Sequence, residues 1–260
     1  MSFYQPDRIL ADTFIDCVEY HPTLDSTNTL AVELRDELRV RSPALVLTDE
    51  QTSGRGRGNH SWWSTGGALT CSVVLDAEQH GPPPASRPLA ALASGLAVRS
   101  LIAELVPDHD VLTKWPNDVL VADQKIGGIL SEQHATSAGS VLVIGIGLNL
   151  NNSLASAPDE FRQRATSVFD LTGHSVDLTD TLVRLLGHLR ESLEELHQNP
   201  SATIQACAQF NRLHGQDVTI ETPVELVRGT CRGITGDGAL LLDVGHMTRE
   251  IRAGTVVEFT

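Results

Sequence analysis

Hydrophobic residues recur along the first 213 positions in two rhythms, one typical of strands and one typical of helices. Short apolar runs predict strands at 44–48, 68–75, 111–113, 119–122, 126–132 and 141–148. Apolar residues at helical spacing predict a helix that is capped at 26–28 and runs to Leu38, and further helices at 89–105, 178–196 and 201–213. Because turn residues rather than long helices separate several strands, we expect mostly antiparallel or mixed pairing.

The pattern changes at Gly215, after which short strands follow one another. Apolar runs predict strands at 218–220, 226–234, 239–244, 250–251 and 256–259. Gly236-Asp237-Gly238 predicts a hairpin turn between the second and third of these strands. Five strands in so short a segment predict a small barrel or sandwich. We therefore expect two domains, 1–213 and 214–260.

Composition narrows the class of protein. The 260-residue chain is 41% hydrophobic, which is ordinary for a soluble globular protein. Its longest apolar stretches, such as 141–150, are shorter than the roughly 18–20 residues of a membrane span. The formal net charge of −14 disfavours non-specific binding to nucleic acid, because the protein repels phosphate backbones. A small anionic substrate would therefore need a local cationic pocket.

Several motifs are absent from the sequence. The four cysteines form no CxxC pair and have no metal-ligand spacing, so we expect reduced thiols and no structural metal. No GxxxxGK[ST], GxGxxG, HExxH or GxSxG occurs, which disfavours the P-loop, dinucleotide, zincin and hydrolase classes. Residues 1–7 lack the basic and apolar segments of a signal peptide, so a cytoplasmic protein is expected.

A glycine- and arginine-rich loop at 51–58, Gln-Thr-Ser-Gly-Arg-Gly-Arg-Gly, is the candidate for the cationic pocket. Its alternating glycines let the backbone approach a ligand, and its amides can line an anion. Arg55 and Arg57 supply forked donors suited to carboxylate and phosphate oxygens. A flexible surface loop is the alternative. Glycine- and arginine-rich RNA-binding tails are longer and disordered.

Two later segments carry groups suited to phosphate chemistry. Residues 114–118, Lys-Trp-Pro-Asn-Asp, and residues 125–129, Lys-Ile-Gly-Gly-Ile, lie at the ends of predicted strands. A lysine beside a scissile carboxyl–phosphate bond can neutralise the charge that develops during nucleotidyl transfer. Taken singly, either lysine could instead be a surface charge.

Aromatic and amide side chains nearby could contact a nucleobase. Trp62 and Trp63 follow the glycine-rich loop, and on a strand only one of them would face a ligand such as adenine. The glycines of 145–147 could leave room for a nucleotide whose adenine edge bonds to Asn149. Ordinary core packing for the tryptophans, and a simple turn at 145–149, are the alternatives.

Taken in order, these segments resemble the biotin–protein ligase family from about Asp25 to Asn151. The Gly-Arg-Gly-Arg and Lys-Trp-Pro-Asn-Asp motifs at this spacing are specific to that family. The resemblance implies an α+β fold with a class II aminoacyl-tRNA synthetase-like mixed sheet, helices and a small C-terminal SH3-like β-barrel. It also implies that biotin and ATP form biotinyl-5′-AMP, from which biotin passes to a lysine in the acceptor domain of a biotin-dependent carboxylase.

The resemblance also implies roles for particular residues. Those implied to bind biotin are Ser26, Thr27, Gln51, Gly54, Arg55, Arg57, Lys125 and Gly128. Those implied to bind ATP are Arg57, Trp62, Lys125 and Asn149. The implied catalytic residues are Arg57, Lys114, Asp118 and Lys125, with Asp118 orienting the incoming lysine. Mg²⁺ would arrive with ATP rather than on a protein metal site.

Two features modify what the resemblance implies. The family loop often has a third arginine where His60 stands here, and a neutral histidine cannot replace a guanidinium on a phosphate. We therefore expect weaker ATP binding, with activity retained. Some family members have an N-terminal helix-turn-helix, but 25 residues precede Ser26 here, too few for a three-helix module. The expectation is a ligase that binds neither DNA nor membranes.

Two alternative functions stay open on the sequence. A lipoate– or octanoate–protein ligase would share the fold and the acyl-adenylate chemistry, but it would need a long apolar channel without the Ser/Thr/Gln set. A non-catalytic biotin-binding protein would not need to retain the phosphate-directed charges of Arg57, Asp118 and Lys125. The residues favour the biotin ligase.

Overall fold

A computed structural model describes residues 4–58 and 60–260; residues 1–3, part of the segment without a signal-peptide pattern, lie outside the described residues. The α-helices are α1 (Pro6–Asp12), α2 (Thr27–Glu33), α3 (Arg35–Val40), α4 (Ala90–Leu105), α5 (Asp159–Arg162), α6 (Val168–Thr172), α7 (Leu178–Gln198) and α8 (Pro200–Gln209). The strands are β1 (Cys17–Leu24), β2 (Ala44–Gln51), β3 (Leu69–Asp76), β4 (Val111–Lys114), β5 (Asp118–Val121), β6 (Gln124–Thr136), β7 (Gly139–Leu148), β8 (Asp217–Glu221), β9 (Leu226–Ile234), β10 (Leu240–Val244), β11 (Met247–Ile251) and β12 (Thr255–Phe259).

The first seven strands form one mixed sheet in the order β1-β2-β3-β7-β6-β5-β4. Only β1 and β2 pair in parallel, and the other neighbours pair antiparallel. The predicted α+β class and mixed pairing are therefore confirmed. The sequence did not predict β1, whose partly exposed, polar residues and Pro22 suit an edge strand rather than a buried one.

The two faces of this sheet are covered unequally. One face carries the main core, in which α4 packs against β4, β5, β6 and β7, and α7 packs against α4. On the opposite face, α2 and α3 cover one end, where Val141 and Val143 of β7 are buried. Side chains alternate between the two faces of a strand, so positions 145 and 147 lie on the same face as Val141 and Val143. Both of these positions are glycines. The open end of this face becomes the floor of a cavity.

Two of the predicted helices differ from the pattern in their continuity or their length. The helix expected to run to Leu38 is divided into α2 and α3, because Leu34 leaves the helical conformation between them. The helix expected over 201–213 ends at Gln209. There the chain turns to lie beside β4, where Thr113 N donates to Phe210 O at 2.9 Å and Arg212 N donates to Thr113 O at 2.8 Å.

Helix α4 corrects one expectation from the sequence. Together with the preceding 3₁₀ turn it spans 84–105, which is long and apolar enough to cross a membrane by length and composition alone. The structure buries 56% of its most apolar window inside the fold. Its apolar residues pack against the sheet and α7, as in the core helix of a globular domain.

The C-terminal strands form a second, antiparallel sheet in the order β11-β10-β9-β8-β12. The predicted hairpin turn at Gly236–Gly238 joins β9 to β10. Trp115, from the turn between β4 and β5, is buried in the core of this second sheet, and its Nε1 donates to Gly238 O at 3.0 Å. The two sheets therefore share packing close to the predicted site residues.

Candidate functional site

A cavity of about 650 Å³ lies over the open end of the first sheet, between the glycine-rich loop and β12. Glycines form its floor because larger residues would collide with side chains that cross it. A Cβ atom on Gly147 would lie 2.5 Å from Trp62 Cε2, and one on Gly128 would lie 3.0 Å from Lys125 Nζ. The predicted site residues that line the cavity are Ser26, Thr27, Gln51, Arg55, Arg57, Trp62, Lys114, Asp118, Lys125 and Gly128.

Two predicted site residues do not line this cavity. Gly54 is buried in the loop, where its carbonyl oxygen accepts a hydrogen bond from Trp62 N at 2.8 Å, and a Cβ would lie 2.9 Å from Gln51 Nε2. It therefore shapes the loop around Gln51. Asn149 is 3% exposed, and its Oδ1 accepts from Asn152 Nδ2 at 3.1 Å. Its contact with adenine stays a prediction.

The charged centre of the cavity is a carboxylate held between two ammonium groups. Lys114 and Asp118 face each other across the β4–β5 hairpin, with Nζ and Oδ2 3.0 Å apart. Lys125 Nζ lies 2.5 Å from the other oxygen, Oδ1. Burial opposes ionisation of Asp118, but the charges and hydrogen bonds of Lys125 and Lys114 outweigh it and hold the pKa of this carboxyl below its usual value. Asp118 is therefore an anion that keeps both lysines in place.

Arg57 adds a further cation at the boundary with the C-terminal sheet. Its Nη1 donates to Gly254 O at 2.6 Å. Burial lowers the pKa of Arg57 from its ordinary value, and the charge of Asp118 partly offsets this effect. A guanidinium stays protonated under such a shift. With Arg57, Lys114 and Lys125 around one carboxylate, the cavity is locally positive in a chain of charge −14.

The opposite end of the cavity is rich in uncharged polar groups. Gln51 Oε1 accepts from Thr27 N at 2.8 Å and lies 3.3 Å from Thr27 Oγ1. Ser26 caps α2, where its side chain accepts from Thr29 N. Arg55 reaches across this end to Glu132, with Nη2 and Oε1 3.0 Å apart. Sequence reasoning missed Glu132, which ends a short apolar run and belongs to no motif.

Aromatic side chains flank the charged centre. Trp62 lies over Gly147, with Lys125 Nζ 5.7 Å from its ring centroid, and its buried Nε1 has no hydrogen-bond partner among the described atoms. Trp63 instead stacks on Phe161, with ring centroids 6.5 Å apart. Of the two tryptophans, only Trp62 lines the cavity.

Two parts of the cavity wall were not predicted from the sequence, and a third, His60, was named but not placed. Phe161 and residues 163–165 approach through a backbone bond from Lys125 N to Arg164 O at 2.8 Å. Residues 254–259 of the C-terminal sheet complete the wall, with the Phe259 ring 5.8 Å from Lys114 Nζ. His60, the departure from the family loop, also lines the cavity. The segments at 161–165 and 254–259 have no sequence pattern that distinguishes them from an ordinary loop or edge strand, whereas His60 stands at a position that the resemblance to the family loop had already marked.

The cavity suits a substrate that brings its own negative charge. Across the residues that the structure describes, no group of three or more His, Cys, Asp or Glu side chains could hold a metal ion. The carboxylate at the charged centre, Asp118, is already bonded to two lysines. The arrangement can neutralise an anion at one end and recognise uncharged donors and acceptors at the other.

Comparison with known proteins gives concordant results. Residues 20–149 match the sequence model of the biotin/lipoate A/B protein ligase family. The chain is 35% identical over 223 residues to the biotin–[acetyl-CoA-carboxylase] ligase of Mycobacterium tuberculosis, covering 82% of this chain and 78% of that protein. It is 28% identical over 240 residues to the bifunctional ligase/repressor BirA of Bacillus subtilis, covering 91% and 72% of the two chains.

Solved structures extend the similarity to the fold. The biotin protein ligase of Aquifex aeolicus, in complex with biotin and ATP, superimposes with a TM-score of 0.77 and 26% sequence identity. The match covers 95% of this chain and 98% of that one, so it includes both sheets. The fold expected from the sequence, a synthetase-like mixed sheet followed by a small C-terminal β domain, is confirmed.

Proposed function

Because the chain belongs to the biotin/lipoate A/B protein ligase family, we propose that it is an ATP-dependent biotin–protein ligase. It forms biotinyl-5′-AMP from biotin and ATP, and it then transfers biotin to a lysine of an acceptor protein. The observation that carries the proposal is one continuous cavity with Arg57, Lys114 and Lys125 at one end and Thr27 and Gln51 at the other. Biotin has the matching asymmetry, a carboxylate at one end and a ureido ring at the other.

Biotin would lie along the glycine floor. Its ureido ring would occupy the end lined by Ser26, Thr27, Gln51 and Arg55, where hydroxyl and amide groups can match its donors and acceptors. Its carboxylate would point toward Arg57 and Lys125 while the side chain passes over Gly128, which offers no Cβ obstruction. A ligand without N–H or C=O groups in its ring would leave these buried polar groups without hydrogen bonds. The free-energy cost of those missing bonds would weaken its binding.

Adenylation requires two anions to approach each other. The carboxylate oxygen of biotin attacks the α-phosphorus of ATP, and the bond to pyrophosphate breaks. Arg57, Lys114 and Lys125 offset the negative charge that builds up on the phosphate oxygens. Trp62, whose buried Nε1 has no hydrogen-bond partner within residues 4–58 and 60–260, would stack on adenine, and Asn149 would bond its edge after a local rearrangement. Mg²⁺ would enter on the phosphates of ATP, consistent with a cavity whose carboxylate is already paired.

Transfer requires a neutral amine at the acyl carbon. The acceptor lysine nitrogen attacks that carbon, the bond from the carbon to the AMP oxygen breaks, and the nitrogen releases one proton to solvent as the amide forms. Asp118 would orient the amine, since its two oxygens each make one bond to a lysine and retain lone pairs for another donor. We propose that Asp118 serves the transfer step and that Arg57, Lys114 and Lys125 serve adenylation.

The acceptor and the cellular setting follow from the relatives and from charge. The name of the M. tuberculosis relative includes acetyl-CoA carboxylase, which supports the acceptor domain of a biotin-dependent carboxylase as the partner. A net charge of −14 supports a ligase that binds neither DNA nor an anionic membrane, and four cysteines without a CxxC pair support a reducing, cytoplasmic setting. We also propose the domain division 1–213 and 214–260, supported by the start of β8 at Asp217.

Pyrophosphate–ATP exchange tests the proposed activity without an acceptor protein. The purified full chain, with Mg²⁺, would be compared in biotin, lipoate, octanoate and no acid. Exchange that depends on biotin is the expected result. Exchange with lipoate or octanoate in its place would assign the chain to the other branch of its family, and no exchange with any acid would favour a non-catalytic biotin-binding protein.

A further inference from the structure

A chain of buried hydrogen bonds runs beneath the uncharged end of the cavity. It passes from Glu132 through Asn28 and Ser72 to Thr27, and only Asn28 and Thr27 of these four line the cavity itself. Building on the proposed function, we propose that Asn28, Ser72 and Glu132 are positioning residues. They fix the Thr27 hydroxyl as a hydrogen-bond acceptor for a ureido N–H of biotin.

Glu132 determines which groups donate and which accept along these hydrogen bonds. Asn28 Nδ2 lies 3.1 Å from Glu132 Oε2 and 3.2 Å from the carbonyl oxygen of Leu130. Both of these groups accept, because the Glu132 carboxylate is also paired with Arg55 and a backbone carbonyl carries no proton. The amide nitrogen of Asn28 must therefore face them. Its oxygen, Oδ1, must face the other way, toward Ser72.

Ser72 lies between Asn28 and Thr27 and can donate to only one of them. Its Oγ lies 2.6 Å from Asn28 Oδ1 and 2.8 Å from Thr27 Oγ1. Two oxygens at such distances require a proton between them, and Asn28 Oδ1 has none to give. The single proton of Ser72 is therefore donated to Asn28. The bond between the two hydroxyls is then donated by Thr27 and accepted by Ser72.

Thr27 is left with lone pairs toward the cavity. Its one proton is used on Ser72, and the nearby Gln51 Oε1 is also an acceptor, because it already receives the Thr27 backbone N–H at 2.8 Å. A group that approaches Thr27 from the cavity must therefore be a donor. The ureido ring of biotin has two N–H groups, whereas the dithiolane of lipoate and the alkyl chain of octanoate have none.

The packing of the sheet supports a dedicated device rather than a chance contact. Gly145 of β7 pairs with Ser72 of β3 on one side and with Leu130 of β6 on the other. Asn28 lies over Gly145, between β3 and β6. A side chain at 145 would occupy the space of the Asn28 amide. Glu132 also binds Arg55, so the same carboxylate anchors two lining residues. Ser72 and Asn28 are 0% and 4% exposed, so the middle of the network is shielded from water, whereas the Glu132 side chain at its start is 23% exposed.

Ser72→Ala tests the proposal on the full-length chain. Without this acceptor the Thr27 hydroxyl is no longer fixed, because its proton can turn into the cavity or toward Gln51 Oε1, which lies 3.3 Å away. The loss of one well-placed hydrogen bond corresponds to a rise of about three- to tenfold in biotin KM. We expect kcat and the KM for ATP in pyrophosphate exchange to stay within about twofold, because Ser72 is remote from the charged centre. Ser94→Ala is the matched control, since Ser94 is equally buried and its hydroxyl donates within α4 to Ala90 O.

A biotin analogue with CH₂ in place of both ureido N–H groups separates positioning from general damage. The wild type should bind it more weakly than biotin, and Ser72→Ala should leave its KM within about twofold, because no N–H remains to recognise. If Ser72→Ala lowers the melting temperature more than Ser94→Ala, the closely isosteric Ser72→Cys is the variant that tests the positioning role. Its biotin KM should lie between those of the wild type and Ser72→Ala.

The outcomes separate this inference from the proposed function. A wild type without biotin-dependent exchange would overturn both. A wild type with such exchange, whose Ser72→Ala and Ser72→Cys variants keep the biotin KM, would overturn the positioning role alone. An equal rise in KM for biotin and for the CH₂ analogue would also overturn it, because the effect would then be independent of the ureido N–H.

Discussion

Asp118→Asn separates the two half-reactions that the cavity is proposed to carry out. The substitution keeps the size of the side chain but removes the negative charge between Lys114 and Lys125. The remaining cations can still offset charge on an attacking carboxylate and on phosphate oxygens. We therefore expect biotin-dependent pyrophosphate exchange to fall by no more than about fivefold. Transfer from biotinyl-5′-AMP to an acceptor lysine should fall much further.

The size of the transfer defect follows from the geometry. Asp118 is proposed to orient the attacking amine, and misplacing a reacting group by about 1 Å costs about 10²-fold in rate. We expect transfer to slow about 10²-fold, or about 2.7 kcal/mol at 1.36 kcal/mol for each factor of ten.

The same substitution should destabilise the fold. Removing one partner of a buried ion pair costs about 3–5 kcal/mol, and the 34% exposure of the Lys125 side chain reduces this toward about 2 kcal/mol. The melting temperature should then fall by about 4–8 °C.

The pH dependence of this loss has a defined sign. The pKa of Asp118 lies below its usual value in the folded protein, because the lysine charges outweigh the effect of burial. Its stabilisation is therefore fully present above the unfolded value of about 3.9, and it is lost as pH falls through the lower folded value. The difference in stability between wild type and Asp118→Asn should shrink below about pH 4.

Single-turnover transfer of biotin from preformed biotinyl-5′-AMP to an acceptor domain measures the second step, and exchange measures the first. Asp108→Asn is the control, because Asp108 is an exposed carboxylate in the turn before β4. If exchange fell as far as transfer, Asp118 would act by holding Lys125 for adenylation. Transfer at the wild-type rate would remove Asp118 from the chemistry altogether.

Three further substitutions test separate parts of the structure. Gly147→Ala should raise the KM for ATP by about tenfold, since its Cβ would lie 2.5 Å from Trp62 Cε2 and displace the indole; an unchanged KM would contradict the adenine-stacking role. His60→Arg should lower the KM for ATP by about threefold through a new guanidinium–phosphate contact, and equal values would show that this loop position does not reach ATP. Trp115→Phe removes the bond to Gly238 O and should cost about 1 kcal/mol in calorimetry, still in one unfolding transition; two separate transitions would argue against shared packing of the two sheets.

The parts of the fold that sequence reasoning found are those whose burial leaves a local pattern. Strands β3 and β7 are buried on both faces and therefore show as continuous apolar runs. Strand β1 lies at the edge beside β2, and its sequence, Cys-Val-Glu-Tyr-His-Pro-Thr-Leu, has neither alternation nor a continuous apolar run. Its strand conformation comes from parallel pairing with β2, which is a tertiary contact that no local pattern records.

The site divides in the same way. Arg57, Lys114, Asp118 and Lys125 stand in short contiguous motifs whose chemistry can be recognised before the fold is known. Residues 254–259 reach the cavity only because the C-terminal sheet packs over Trp115, from the turn next to Lys114. Phe161 reaches it only because the loop that follows β7 returns to Lys125. Neither approach leaves a trace in the spacing of residues along the chain.

The glycines of β7, which the sequence predicts to leave room for a nucleotide, also mark one face of the strand. Residues 141, 143, 145 and 147 share one face of the strand, and along it valine, valine, glycine and glycine follow in that order. A buried strand that loses its side chains on one face must lie against something other than its own core there. Here Asn28 lies over Gly145 and Trp62 over Gly147. A stepwise loss of side-chain volume at period two therefore marks where the sheet makes room for the side chains that line the cavity, and the register then places Ser72 beside Gly145, next to Asn28.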